Sequence, residues 1–128
     1  MAGFTQGNFS EAQAVAGTAV ASTNYIKSKG DGLYSDIFLD VSVNTAFVGG
    51  TSLQIDLQTD DNTSFSSAKT LMSVVVAVAD LTQYAKLFLG QLPTGVESYI
   101  RLYYTPTGTF TAGKLDSSLT YGTNYQTK

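Results

Sequence analysis

Two stretches decide the fold: Ser52-Leu-Gln-Ile-Asp-Leu-Gln-Thr59 and Ser98-Tyr-Ile-Arg-Leu-Tyr-Tyr-Thr105. In each, side chains suited to a core alternate with more polar ones, and this period of two is typical of a β-strand with one buried face. Each runs into turn residues, Asp60-Asp61-Asn62 in the first and Pro106-Thr107-Gly108 in the second. Neither presents a reactive group, so the pattern indicates a scaffold rather than a catalyst.

Other parts of the chain repeat this pattern. Ile37, Leu39, Val41 and Val43 occupy every second position of one strand. The β-branched run at 69–78 predicts a strand buried on both faces, and further strands are predicted at 20–26, 86–90 and 114–121. About seven or eight short strands with regularly spaced turns are typical of an all-β, antiparallel two-sheet β-sandwich. Periodicity alone does not separate a jelly roll from an immunoglobulin-like sandwich.

The first thirteen residues lack a helical or strand period. They are rich in Gly, Gln and Ser and carry two separated aromatics, Phe4 and Phe9. We therefore predict an extended N-terminal arm over 1–13 and a single β-sandwich domain over 14–128. Because burying each phenylalanine would be favourable, we expect Phe4 and Phe9 to order against a neighbouring subunit or partner. The alternative is that they cover the end of this subunit's own sandwich.

Composition excludes several functions. The 128 residues include no His, Cys or Trp, and seven basic residues face ten acidic ones for a net charge of −3. The commonest general base, thiolate chemistry and a clustered positive footprint for nucleic acid are therefore missing. The longest apolar run, Val74 to Ala79, is too short to cross a membrane. We expect no catalytic residues, cofactor, nucleic-acid partner or membrane partner.

The only acidic cluster is Asp60-Asp61-Asn62 with Ser64. Calcium prefers several carboxylate and carbonyl oxygens on a tight turn, but the glycine and the downstream glutamate of an EF-hand are missing. Asp and Asn also cap turns through their own backbone, so we predict a turn and no metal site. Asp40 and Asp56, each set among core residues, are expected to face solvent, with a shared outer face as one possibility.

Tyr99, Arg101 and Tyr103 fall on one face of a predicted strand. Tyrosine and arginine are enriched at protein interfaces, and tyrosine offers a large contact area at low entropic cost. The alternative is that these are ordinary strand residues. We select this face as a candidate partner-binding surface.

A resemblance to a known family rests on the order of several of these segments. Leu57-Gln-Thr-Asp-Asp61 with Phe65-Ser66, then Tyr99-Ile-Arg-Leu-Tyr-Tyr104, then Gly108-Thr-Phe-Thr-Ala-Gly113 resembles the Bbp16-type capsid cement proteins of tailed bacteriophages. The resemblance extends roughly from Ala12 to Leu119. It implies a jelly roll, no enzymatic activity, and a location on the outer surface of the capsid after synthesis in the host cytoplasm. The implied partners are the major capsid protein and a second copy of the chain, in a dimer or, less favoured, a trimer.

Two other function classes remain open at this point. A carbohydrate-binding β-sandwich module on a virion or cell surface would also use exposed tyrosines, although the missing Trp disfavours it. A small hydrolase that uses only carboxylates is the weaker alternative, since glycoside hydrolysis needs just an acid and a base.

Overall fold

A computed structural model describes residues 5–27, 37–91 and 98–121. This part of the chain forms nine strands and one short 3-10 helix, Val78–Asp80. The strands are β1 (Thr5–Ala14), β2 (Val20–Ala21), β3 (Ile26–Lys27), β4 (Ile37–Gly49), β5 (Ser52–Asp60), β6 (Lys69–Ala77), β7 (Lys86–Gln91), β8 (Tyr99–Thr107) and β9 (Phe110–Tyr121).

The strands form two antiparallel sheets that pack as a sandwich. The first sheet has the order β1-β9-β4-β7, and the second has the order β2-β8-β5-β6, with β3 also paired to β8. Sequential strands repeatedly lie in different sheets, so the connections cross between the two layers. The predicted all-β, two-sheet architecture is confirmed.

The core lies between the sheets and follows the predicted alternation. In β5, Leu53, Ile55 and Leu57 are at most 4% exposed. β8 contributes every second residue in the same way, and so does β4. The buried cluster also includes residues from the first and last strands and the connections: Phe9, Val15, Leu39, Val41, Val43, Phe47, Leu81, Ile100, Leu102, Tyr104, Phe110, Leu115 and Leu119.

Two glycine corners carry the chain from one sheet to the other. The turn at Gly49-Gly50 joins β4 to β5, and both glycines have positive φ, 82° and 63°. Gly108, at φ 83°, plays the same part between β8 and β9. The two corners touch, because a Cβ on Gly108 would lie 3.0 Å from the Cα of Gly50. Glycine supplies both the backbone conformation and the close approach.

A buried hydroxyl chain links the two sheets through the core. Tyr104 on β8 reaches across the sandwich, and its Oη lies 2.7 Å from Ser10 Oγ on β1 and 2.9 Å from Ser117 Oγ on β9. Ser10 Oγ also donates to Gln13 Oε1 at 2.5 Å. Burial raises the pKa of Tyr104, and the two serine hydrogen bonds only partly oppose this effect. The Tyr104 hydroxyl therefore stays protonated, and its two hydrogen bonds join β8 to β1 and β9.

At residues 5–13 the structure differs from the expected arm over residues 1–13. They belong to β1, which pairs with β9 along most of its length. Phe9 is fully buried within this subunit's own core. β1 has three register shifts and a positive φ of 50° at Ala12, which interrupt the regular geometry of a strand. This irregularity explains why no strand pattern is visible in the sequence.

Two other strands differ from expectation. The strand predicted at 20–26 is interrupted, and only β2 and β3 at its ends pair with β8. β6, predicted to be buried on both faces, is an edge strand of its sheet, and Val75 is 64% exposed. A β-branched run therefore reflects strand propensity here rather than double burial.

Candidate partner-binding face

The outer surface of β8 displays the three residues selected from the sequence. Tyr99, Arg101 and Tyr103 are partly exposed, while the residues between them are buried. The alternation along one regular strand thus places all three on the same side of the second sheet. The structure brings these predicted site residues together.

Arg101 is held in place by three neighbours. Its guanidinium carbon lies 4.4 Å from the centre of the Phe65 ring and 5.3 Å from the centre of the Tyr103 ring. Its Nε donates to Gln58 Oε1 on the adjacent strand at 2.8 Å. This arrangement follows from the register, because Gln58 lies directly opposite Arg101 in the β5–β8 pair. Stacking and the hydrogen bond fix the plane of the guanidinium.

Tyr25 and Phe65 complete an aromatic cluster that the sequence pattern did not reveal. The Tyr25 ring meets the Tyr99 ring edge-on, with centroids 5.5 Å apart and an interplanar angle of 89°. It also lies 6.3 Å from the Phe65 ring. Both residues lie outside the strands, so the strand periodicity of the sequence does not predict their positions. We call these five residues, Tyr25, Phe65, Tyr99, Arg101 and Tyr103, the Arg101 face.

Phe65 is the platform of the Arg101 face. It is 6% exposed, and its backbone adopts a φ of 53°, which is uncommon for a residue with a Cβ. Its N–H donates to the carbonyl of Asn62 at 3.4 Å, which closes the turn after β5. The turn thereby brings an aromatic ring back beneath Arg101. Strained backbone of this kind is found preferentially at functional sites.

Asp60 stabilises the turn that carries Phe65. One of its oxygens accepts the N–H of Asp61 at 2.7 Å, and the other accepts the N–H of Ser67 at 2.8 Å. Burial alone would raise the pKa of Asp60, but these backbone hydrogen bonds and the charge of Lys69 outweigh it and lower the pKa. The predicted turn is confirmed, and both carboxylate oxygens of Asp60 are used in it.

Comparison with known protein families gives a match that covers most of the described structure. The Bbp16 family model matches residues 9–119, a span that includes the whole Arg101 face. The chain belongs to the Bbp16 family. A search of curated proteins gives no match to the chain.

In this Bbp16 family member, the N-terminal aromatics are not part of the Arg101 face. Phe9 lies in the core, so it is not available to a partner while β1 is paired. Phe4 lies outside the described residues. Of the five residues selected from the sequence, the three on β8 therefore form the candidate site.

The aspartates considered for catalysis lie apart. Asp40 is on β4 in the first sheet, where its carboxylate pairs with Lys86 Nζ at 2.8 Å. Asp56 is on β5 in the second sheet, and its oxygens accept from Gln54 Nε2 at 3.1 Å. They do not share a sheet face, and Asp56, at 8% exposed, is buried rather than solvent-facing. Within residues 5–27, 37–91 and 98–121, no three acidic residues gather to form a metal-binding group.

A shallow groove of about 300 Å³ lies over the outer side of the first sheet and includes Glu11, Ala12, Asn44 and Asp116 in its lining. Polar groups that line the groove form hydrogen bonds with one another. Asp116 accepts the N–H of Ala12 at 2.7 Å and Asn44 Nδ2 at 3.2 Å. The groove therefore marks the irregular pairing of β1.

No helix in the described ranges is long and apolar enough to cross a membrane.

Proposed function

We propose that this chain is a non-enzymatic capsid cement, or decoration, protein. In this role it binds the outer surface of a bacteriophage head and stabilises contacts between major capsid protein subunits. Bbp16 family membership over residues 9–119 carries the proposal. The Arg101 face supports it, because a rigid cluster of tyrosines around a stacked arginine has the composition of an interface hot spot.

The proposed mechanism is thermodynamic. The rigid β-sandwich binds a site built from several capsid subunits, and this site exists only in the assembled lattice. A ligand that binds one state selectively stabilises that state by mass action. Because the same contact repeats over the whole head, modest affinity at each site is sufficient.

We assign the sandwich to the jelly-roll class. If β2 and β3 are taken as one interrupted strand, the chain has eight strands, with the orders 1-9-4-7 and 2-8-5-6 in the two sheets. Strands that are far apart in sequence lie side by side in both sheets. This nested order is what two interlocked Greek keys produce.

We also propose that the protein forms a homodimer, with a trimer as the alternative. In the described part of the second sheet, β6 has a hydrogen-bonded neighbour on one side only. Residues 70–77 carry no charge, proline or glycine, and Val75 is 64% exposed. Such an edge readily accepts another strand. Pairing with β6 of a second copy, antiparallel about a two-fold axis, gives both strands the same contacts.

The dimer is tested by measuring the mass in solution and then placing a charge on this edge. Val75→Lys places a lysine on this edge of each copy, so that like charges enter the interface, and is expected to convert the dimer to a monomer. Val48→Lys is the matched control, since Val48 is 55% exposed on β4 of the other sheet. A dimer that persists unchanged in the Val75 variant would show that the dimer contact does not involve this edge of β6.

The cement role is tested by titrating the protein against mature phage heads that lack it. Saturable binding to assembled heads, weaker binding to unassembled capsid subunits, and heads that resist heat better once coated are the expected results. A glycan panel run in parallel tests the carbohydrate-binding alternative. Binding to glycans without binding to heads would replace the proposed function.

A further inference from the structure

The guanidinium of Arg101 is held in position by its neighbours, but no ion pair of Arg101 is found within residues 5–27, 37–91 and 98–121. The Lys86–Asp40 ion pair lies on the other sheet. The carboxylate that acts on the pKa of Arg101 is Asp60, and its two oxygens accept the N–H groups of Asp61 and Ser67. Of the guanidinium nitrogens, Nε has a protein partner in the described structure, Gln58. The two terminal nitrogens have none there.

The surroundings favour recognition of an anion by those nitrogens. Partial burial lowers the pKa of Arg101, and the nearby Tyr103 and Asp60 oppose this effect. Arginine stays protonated at neutral pH despite such shifts. An ionic contact made in a partly desolvated aromatic pocket is stronger than the same contact in water. The charged group is thus present, oriented and less screened than an exposed lysine.

The anion is most simply a single carboxylate. A polyanion such as nucleic acid requires a cluster of positive charges, but the chain has seven basic residues and a net charge of −3. Arg101 is also the only arginine. The planar guanidinium matches a carboxylate through two parallel hydrogen bonds, and the tyrosines around it can cover the pair from water.

We propose that the terminal nitrogens of Arg101 bind an aspartate or glutamate side chain of the capsid partner. The contact is bidentate, and Tyr25, Tyr99 and Tyr103 surround it. This inference rests on the proposed function and adds the chemistry of the partner. It makes Arg101 the residue that sets the orientation of the protein on the head.

Affinity for mature heads lacking the protein is compared for wild type, Arg101→Gln, Arg101→Lys and Lys114→Gln. Arg101→Gln is expected to weaken binding by at least about 30-fold, because it leaves a carboxylate covered and unpaired. Arg101→Lys keeps the charge but not the fork or the stacking, so a loss of about 10-fold is expected. Lys114 is exposed on β9 of the other sheet, and its variant carries the same net charge as Arg101→Gln. We expect it to bind within about two-fold of wild type, as is usual for a charge outside the interface.

A covalent readout locates the partner group. The amine introduced by Arg101→Lys should lie beside the partner carboxylate, so a carbodiimide will join them in an amide bond with net loss of one water, taken up as the urea. Mass spectrometry is expected to find position 101 linked to an Asp or Glu of the major capsid protein. Lys114, present in the same sample, is expected to give no such link.

The outcomes separate this inference from the proposed function. If wild type binds heads and both Arg101 variants bind equally well, the carboxylate contact is overturned and the cement role stands. The same holds if Arg101→Lys saturates the heads and gives no link at position 101. If wild type binds no heads but binds acidic glycans through Arg101, both proposals fall. A melting curve of each variant shows whether it is folded. If Arg101→Gln is not folded, the binding and cross-linking results for Arg101→Lys decide whether the carboxylate contact exists.

Discussion

Tyr104→Phe is predicted to destabilise the protein by about 2–3 kcal/mol, although it removes a single oxygen atom. The Tyr104 ring is fully buried, and its hydroxyl bonds both Ser10 and Ser117. Each bond contributes roughly 1 kcal/mol net, and a buried hydroxyl without a partner costs about 1–3 kcal/mol. Ser10 retains Gln13, whereas the described structure offers Ser117 Oγ no other side-chain partner. The loss is therefore two bonds plus part of one unsatisfied group.

The assay is thermal and urea unfolding followed by circular dichroism. Unfolding entropy is roughly 2.1 cal/mol/K per residue, so for 128 residues the melting temperature falls by roughly 7–11 °C. Ser117→Ala and the double variant complete a cycle, in which a coupling of about 1 kcal/mol is expected for residues in contact. A Tyr104→Phe variant within about 0.5 kcal/mol of wild type, the range of ordinary surface changes, would refute the buried hydroxyl chain.

The pH dependence of stability in wild type and in Tyr104→Phe gives a second test of the buried hydroxyl. The pKa of Tyr104 is raised in the folded state from its ordinary value of 10.0, chiefly by burial. Tyrosine in the unfolded chain therefore ionises first, and this part of the stability is lost as the pH rises above 10. The phenylalanine variant has no such group. The difference in unfolding free energy between wild type and Tyr104→Phe is expected to narrow above pH 10 and to stay constant between pH 6 and 8.

Two further predictions concern the first strand and the turn. Phe9→Ala should lower the free energy of unfolding of the isolated protein by about 3–5 kcal/mol, because Phe9 is a core residue; an unchanged melting temperature would restore the arm interpretation. Asp60→Asn should lower the melting temperature at pH 7, because the amide cannot accept both N–H groups. Since the folded pKa of Asp60 is depressed, this contribution is present above pH 3.8 and is lost as the pH falls through the folded pKa. The two proteins should therefore converge in acid, and a constant difference down to pH 2 would contradict the assignment.

Sequence periodicity predicted the regular centre of the fold. β4, β5 and β8 each bury apolar residues at alternate positions, because side chains on successive positions point to opposite sides of a sheet. The same rule placed Tyr99, Arg101 and Tyr103 together on the outer side of β8. These predictions depend only on local geometry, so they could be made without knowing the pairing of the strands.

The rest depends on tertiary contacts that a sequence pattern does not encode. β1 is held by pairing with β9, by the core side chain Phe9 and by the bond between Ser10 and Tyr104, and register shifts interrupt its pairing. β6 has the composition of an internal strand, but its position at an edge is set by the order of the sheet. Phe65 reaches Arg101 only because the turn after β5 folds back with a positive φ.

An electron cryo-microscopy map of the intact virion is the most direct test of the cement role. We predict β-sandwich dimers at many equivalent positions on the outer surface of the head, seated between major capsid protein subunits. The Arg101 face is expected to point toward the capsid, with the core residue Phe9 remaining inside the sandwich. A head without this protein on its surface, or a sandwich whose Arg101 face points into solvent at every position, would contradict the account.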